Sequence, residues 1–91
     1  MDGTLMEKAD IVEGERVQIV NLENGERLET YTIPGKRGTG IIGMNGPTAL
    51  KCRIGDRIHI ISYVIANEEN RKKLKGRTII LDEKNRTKSE K

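Results

Sequence analysis

An Asn24-Gly25 pair set between two alternating stretches constrains the fold of this chain more than any other feature. Asn-Gly favours a tight hairpin, because a type I′ turn holds both central residues at positive φ. Before it runs Arg16-Val-Gln-Ile-Val-Asn-Leu22, and after it Arg27-Leu-Glu-Thr-Tyr-Thr-Ile33. Both are rich in β-branched residues and alternate roughly as half-buried strands do. Period two puts Arg27, Glu29, Tyr31 and Ile33 on one face and Leu28, Thr30 and Thr32 on the other. Arg27 and Tyr31 then share a face, four residues apart. A cation and a phenol so aligned can grip a carboxylate and move a proton. The plainer reading is an ordinary exposed polar face, and spacing alone favours it.

The rest of the chain continues in the same short-stranded manner. Residues 1–10 predict a short helix with Leu5, Met6 and Ala9 inward. Pro34-Gly-Lys-Arg-Gly-Thr-Gly40 reads as a mobile glycine-rich turn. It lacks the Gly-Lys-Ser/Thr ending and the following helix of a phosphate loop. Gly40–Met44 predicts a short strand, Pro47 a one-turn helix, and Ile54-Gly-Asp56 a tight turn. Arg57–Val64 is the longest strand pattern, with Ile58, Ile60, Ser62 and Val64 on one face and His59, Ile61 and Tyr63 on the other. Asn67–Gly76 carries the start and stop signals of a short helix, and Thr78–Leu81 reads as a final edge strand. These elements predict a mainly β fold, a small barrel over residues 1–81, followed by a charged tail at 82–91 expected to be disordered.

Composition narrows the function classes. With no Phe or Trp and two Tyr, the core is aliphatic and thin, and oligomerisation is the natural remedy for a chain of 91 residues. The net charge of +3 belongs to one end: residues 67–91 hold nine bases against five acids, residues 1–66 eight against nine. A nucleic-acid-binding body carries its positive charge on the folded part, so nucleic acid is not an expected partner. Cys52 stands alone, which excludes an intrachain disulfide and fits a reducing compartment. No apolar run is long enough to span a membrane and no signal peptide is recognisable, so a cytoplasmic location is expected. His59 is the only histidine, and no second His or Cys stands at metal-ligand spacing.

Three motifs in order then acquire a common meaning. Asn24-Gly-Glu-Arg-Leu-Glu-Thr-Tyr31, Gly43-Met-Asn-Gly-Pro-Thr-Ala49 and Ile54-Gly-Asp-Arg-Ile-His-Ile-Ile-Ser-Tyr63 closely resemble pyruvoyl-dependent aspartate 1-decarboxylase. The family pattern is Asn-Gly-x-Arg-x-x-Thr-Tyr, then Asn-Gly-Ala-Ala-Ala, then Gly-Asp before a long apolar strand. The resemblance needs no gap from about Asp2 to Tyr63, and Ile80–Asn85 is similar to the family's late strand. It implies a six-stranded double-psi β-barrel, N-terminally truncated here, assembled as a homotetramer with active sites between subunits. It also implies conversion of L-aspartate to β-alanine and CO2 on the route to pantothenate. The cofactor is a pyruvoyl group made from the chain's own serine by Gly-Ser self-cleavage. Its ketone forms a Schiff base with aspartate and accepts the electrons left by CO2.

By the same resemblance, Arg27 binds a substrate carboxylate and Tyr31 protonates the carbanion. Thr30 lies beside the pyruvoyl group, Asn45 lies near the cofactor, and Gly46, Pro47 and Thr48 cradle the substrate. Pro47 and Thr48 depart from the family's alanines: Pro47 has no N–H to donate, and Thr48 adds a hydroxyl. The family's early lysine and Gly-Ser processing site have no counterpart, since the resemblance begins a few residues past the pyruvoyl serine. The expectation is a processed large chain with a trimmed start, a fragment, or a reading frame begun at an internal Met. Such a chain, inactive without an electron sink, would need the N-terminal small chain of the same precursor. Two rivals stand beside this reading. One is a non-enzymatic swapped-hairpin β-barrel that binds DNA through its basic tail, and the other an assembly subunit without catalysis.

Overall fold

The computed structural model describes residues 1–91 and is mainly β. Asp2 opens it by accepting a hydrogen bond from the Thr4 amide (2.7 Å), which caps helix α1 (Gly3–Lys8). Leu5 and Met6 on that helix are buried, as the periodicity predicts, and Ala9 packs beside them. The same Asp2 carboxylate accepts from the amides of Gly38 (3.1 Å) and Gly40 (2.8 Å). The Gly40 bond foremost holds its carboxyl below the usual range, against the opposing effect of burial. The glycine-rich segment expected to be a mobile turn is thus tied to the chain's first helix. Its two best-placed amides already serve an internal anion.

Strands β1 (Arg16–Asn21), β2 (Arg27–Tyr31) and β3 (Ile58–Ser62) form an antiparallel sheet in the order β2-β1-β3. Val17 and Ile19 of β1 point inward with Ile60, while Arg16, Gln18 and Val20 face outward. The β1–β2 hairpin forms where Asn-Gly places it, but not through a two-residue type I′ turn. Asn21 pairs with Glu26 (N–H to O, 2.8 Å) across a four-residue loop, and only Gly25 takes positive φ (74°). The reason lies in two asparagine side chains. Asn21 Oδ1 accepts from Glu23 N–H (2.9 Å) and Asn24 Oδ1 from Glu26 N–H (2.9 Å), which satisfies a wider turn.

Strand β4 (Ile79–Leu81) and strand β5 (Thr87–Glu90) make a separate antiparallel hairpin. The tail at 82–91, expected to be disordered, therefore carries a strand. Asp82 Oδ1 accepts from the Lys84 (2.9 Å) and Arg86 (3.0 Å) amides and folds the turn, with Asn85 at φ 59°. Two further expectations are corrected. Gly40–Met44 is not a strand: it has no ladder partner beyond Asp2 N–H to Ile41 O (2.7 Å), and two glycines loosen it. Helix α2 (Glu68–Arg71), capped by Asn67, stops well short of Gly76 because its basic continuation has no buried face.

The barrel is not closed. Five strands are present rather than six, in two sheets, and the space between is an open cavity of about 1730 Å³ lined by Ile42, Met44, Ile58, Ile60, Ile79 and Leu81 among others. Only Leu5, Met6, Ile11, Val17 and Ile19 form the buried apolar core. No helix is long and apolar enough to cross a membrane.

Candidate active site

The outward face of the three-stranded sheet is set by register. Arg27 lies opposite Val20, Glu29 opposite Gln18, and Tyr31 opposite Arg16. Along β2 exposure alternates as predicted: Arg27, Glu29 and Tyr31 are exposed, Leu28 and Thr30 half-buried. Arg27 and Tyr31 therefore share the open face, with Cα atoms about 13 Å apart over four strand residues. Thr30 points to the opposite side.

Charge pairing separates the arginines at this sheet. Arg16 is bound to Glu29, and Arg57 Nε donates to Glu23 (2.7 Å). Arg57 holds the Glu23 carboxyl below its usual range, chiefly by the side-chain hydrogen bond, and its own affinity for the proton rises. Arg27 enters no ion pair and its guanidinium no hydrogen bond. A guanidinium on a sheet face with all its donors unspent is prepared for a planar oxyanion. Tyr31 is 64% exposed, with its phenol hydrogen-bonded to no protein group.

The Asn45–Thr48 loop sits elsewhere. It opens the 3-10 helix Gly46–Leu50, with Gly46 at φ 61° and Pro47 in the first turn. The Thr48 hydroxyl donates to Asn45 O (2.6 Å), so the oxygen this chain adds is spent within the loop. Asn45 makes no side-chain capping bond, which leaves its amide unspent. The loop's far end is fastened to the hairpin. Lys51 O accepts from Asn21 Nδ2 (3.0 Å) and Asn24 Nδ2 (2.9 Å), and Lys51 Nζ lies 3.6 Å from Glu26. This anchors the loop at the Arg27 end of β2. No hydrogen bond joins residues 45–48 to Arg27 or Tyr31.

Asn21 was not singled out by sequence reasoning, yet it organises this region. Fully buried, it also donates to Asp56 Oδ2 (2.8 Å). That bond is the main reason the Asp56 carboxyl is held below its usual range, with the Arg53 amide second. The only signal was an asparagine ending a strand just before a turn. The chain's start lies close to the end of β2: the Met1 ammonium donates to Ile33 O (2.9 Å) and Met1 O accepts from Gly35 N–H (2.6 Å). No group of three or more His, Cys, Asp or Glu side chains gathers at metal-ligating distance.

The sequence as a whole is similar to known proteins. Residues 1–88 match the family described as aspartate decarboxylase. A curated protein named aspartate 1-decarboxylase from Carboxydothermus hydrogenoformans is 45% identical over 86 residues, covering 94% of this chain and 68% of the relative. Namesakes from Thermoanaerobacter pseudethanolicus and Cytophaga hutchinsonii are each 48% identical over 86 residues, with 74% and 75% of their lengths covered. The rival reading as a DNA-binding swapped-hairpin barrel finds no support among these relatives. With nearly its whole length matched in this way, the chain belongs to the aspartate decarboxylase family.

Proposed function

We propose that this chain supplies the substrate-binding and proton-donating surface of an aspartate 1-decarboxylase, a carboxy-lyase that converts L-aspartate to β-alanine and CO2. The observation that carries the reading is Arg27, unpaired on an open sheet face that also presents the exposed phenol of Tyr31. Arg27 holds a carboxylate through paired N–H donors. Tyr31 is the acid that returns a proton to carbon after CO2 has left. The neighbouring carboxyls of Glu23 and Asp56 are held in their charged form, which makes them poor competitors for that task. Asn45 offers its free amide to the substrate, Gly46 permits close approach of the backbone, and Pro47 and Thr48 shape the loop.

The cofactor of this reading is the pyruvoyl group that Gly-Ser self-cleavage leaves at the N-terminus of the large chain, with the N-terminal small chain of the same precursor as its partner, and it would supply the carbonyl that accepts electrons. The Met1 ammonium reaches Ile33 O (2.9 Å), two residues past Tyr31, and Thr30 and Tyr31 are the residues that would flank the group. A homotetramer and a cytoplasmic setting complete the proposal. The first is supported by twelve large hydrophobic side chains left exposed, Leu50, Ile54 and Ile65 most of all, and the second by the lone thiol of Cys52.

The test is to express the chain behind the family's N-terminal segment and to measure β-alanine formation. Tyr31→Phe should still self-cleave and bind aspartate but turn over about a hundredfold or more slowly. Undiminished turnover by the Phe variant would remove Tyr31 from its role.

A further inference from the structure

Val20 lies opposite Arg27 on one side and opposite His59 on the other. Directly opposed residues of an antiparallel ladder project to the same face. Arg27, Val20 and His59 therefore form one row across the open side of the sheet. Two strand spacings of about 4.8 Å place the outer Cα atoms about 10 Å apart. His59 is exposed and its ring makes no hydrogen bond, just as Arg27 makes no ion pair. Unspent donors thus stand at both ends of the row above an aliphatic floor.

We propose that His59 is a specificity-determining residue of the substrate site, closing with Arg27 on one carboxylate of a dicarboxylic amino acid. This rests on the reading of Arg27 given above. The carboxylate so held is the one retained in the product. The departing carboxylate gives up its charge as CO2 forms, and two cations fixed on it would stabilise the ground state more than the transition state.

The charges around the ring support a ligand-dependent role. Besides Arg27, the titratable groups on this face are Arg16, Glu29, Tyr31 and Tyr63. Arg16 and Glu29 neutralise each other, and Tyr63 Oη donates to Gln18 (2.8 Å). Next to β3, Arg57 is turned to Glu23 (2.7 Å). Arg27 is thus the unpaired charge in this row, while the cavity that His59 also lines carries Lys75, Arg77, Asp82 and Glu83. A carboxylate seated between Arg27 and His59 would favour the imidazolium.

Because His59 is the only histidine, its Cε1–H proton is a single resolved reporter by NMR. The probe is succinate, a dicarboxylate without an amine to react. Saturating succinate should raise the His59 titration midpoint by about one pH unit, equivalent to about tenfold tighter binding by the protonated ring. Propionate, which offers the one carboxylate the pair would hold, should move it in the same direction, and Arg27→Ala should abolish the effect. In His59→Gln, followed through the Arg27 Nε–H signal, succinate should bind more weakly and lose its dependence on pH between about 8 and 6.5, where the ligand itself stays doubly ionised. If succinate shifts the Arg27 signal and leaves His59 unmoved, the role of His59 is overturned while that of Arg27 stands. If neither responds, the reading of Arg27 as the carboxylate site falls with it.

Discussion

Asn21→Ala should destabilise the chain far more than an ordinary polar-to-alanine change at a strand end. The residue is wholly buried, and its side chain holds Glu23 N–H (2.9 Å), Lys51 O (3.0 Å) and Asp56 Oδ2 (2.8 Å). Counting only the two main-chain bonds, at about 1 kcal/mol each, the loss is about 2 kcal/mol. Leaving the Glu23 amide without its partner adds to that, whereas Lys51 O keeps a second donor in Asn24 Nδ2 (2.9 Å). A total of about 2–3 kcal/mol follows, a large share of the 5–15 kcal/mol typical of a domain. The assay is equilibrium unfolding in urea. With a slope of about 1 kcal/mol/M, the midpoint should fall by about 2 M. Asn21→Asp tests the direction of the Asp56 bond, since it keeps the shape and the acceptor for Glu23 but turns a donor into a like charge. An alanine variant within about 0.5 kcal/mol of the parent would refute the reasoning, because surface positions without partners behave that way.

Three further outcomes are expected. Arg27→Ala in the chain expressed behind the family's N-terminal segment should raise KM for aspartate more than it lowers kcat, by about tenfold if one bidentate contact is lost, and an unchanged KM would exclude it from binding. Gly40→Ala should cost about 2 kcal/mol in urea unfolding, because Gly40 sits at φ 74° and an added Cβ would meet Lys84 O at 2.8 Å. Gly25→Ala, at the same φ with nothing within 4 Å, should cost only about half as much, and equal losses would refute the contact. Stability should hold on mild acidification and decline once the pH falls below the ordinary carboxyl values. The folded-state pKa values of Asp2 and Asp56 are depressed below 3.8, so their contribution is complete above that value and is lost as pH drops through the lower ones. A urea midpoint that already falls between about pH 7 and 5 would point to other groups.

What the sequence revealed and what it hid divide along the range of the interactions. The faces of β2 were legible because alternation needs only neighbouring residues, and Arg27 and Tyr31 fell together for that reason. The turn type was not, because it depends on side-chain bonds of Asn21 and Asn24, both of which also reach Lys51. Gly40–Met44 looked like a strand locally but has no strand to pair with. The reverse holds for β5: Thr87-Lys-Ser-Glu90 has no apolar alternation, and pairing with β4 alone makes it a strand. Its signal was Asp82, whose carboxylate can close the turn before it. The row that unites Arg27 with His59 needs the register of two ladders separated by more than thirty residues, which no local pattern contains.

The hairpin of β4 and β5 is joined to the rest by few side-chain links. Lys8 Nζ reaches Thr87 Oγ1 (3.0 Å) and Glu90 (3.8 Å), and Asn85 Nδ2 donates to Gly40 O (2.8 Å). So lightly moored a unit opens without dragging the three-stranded sheet with it. Amide deuteration should therefore be biphasic: residues 79–90 exchange early, while Val17 and Ile19, buried on the central strand, exchange late. The surface that carries Arg27, Tyr31 and His59 lies on the slow unit, so excursions of the charged C-terminal end leave it intact.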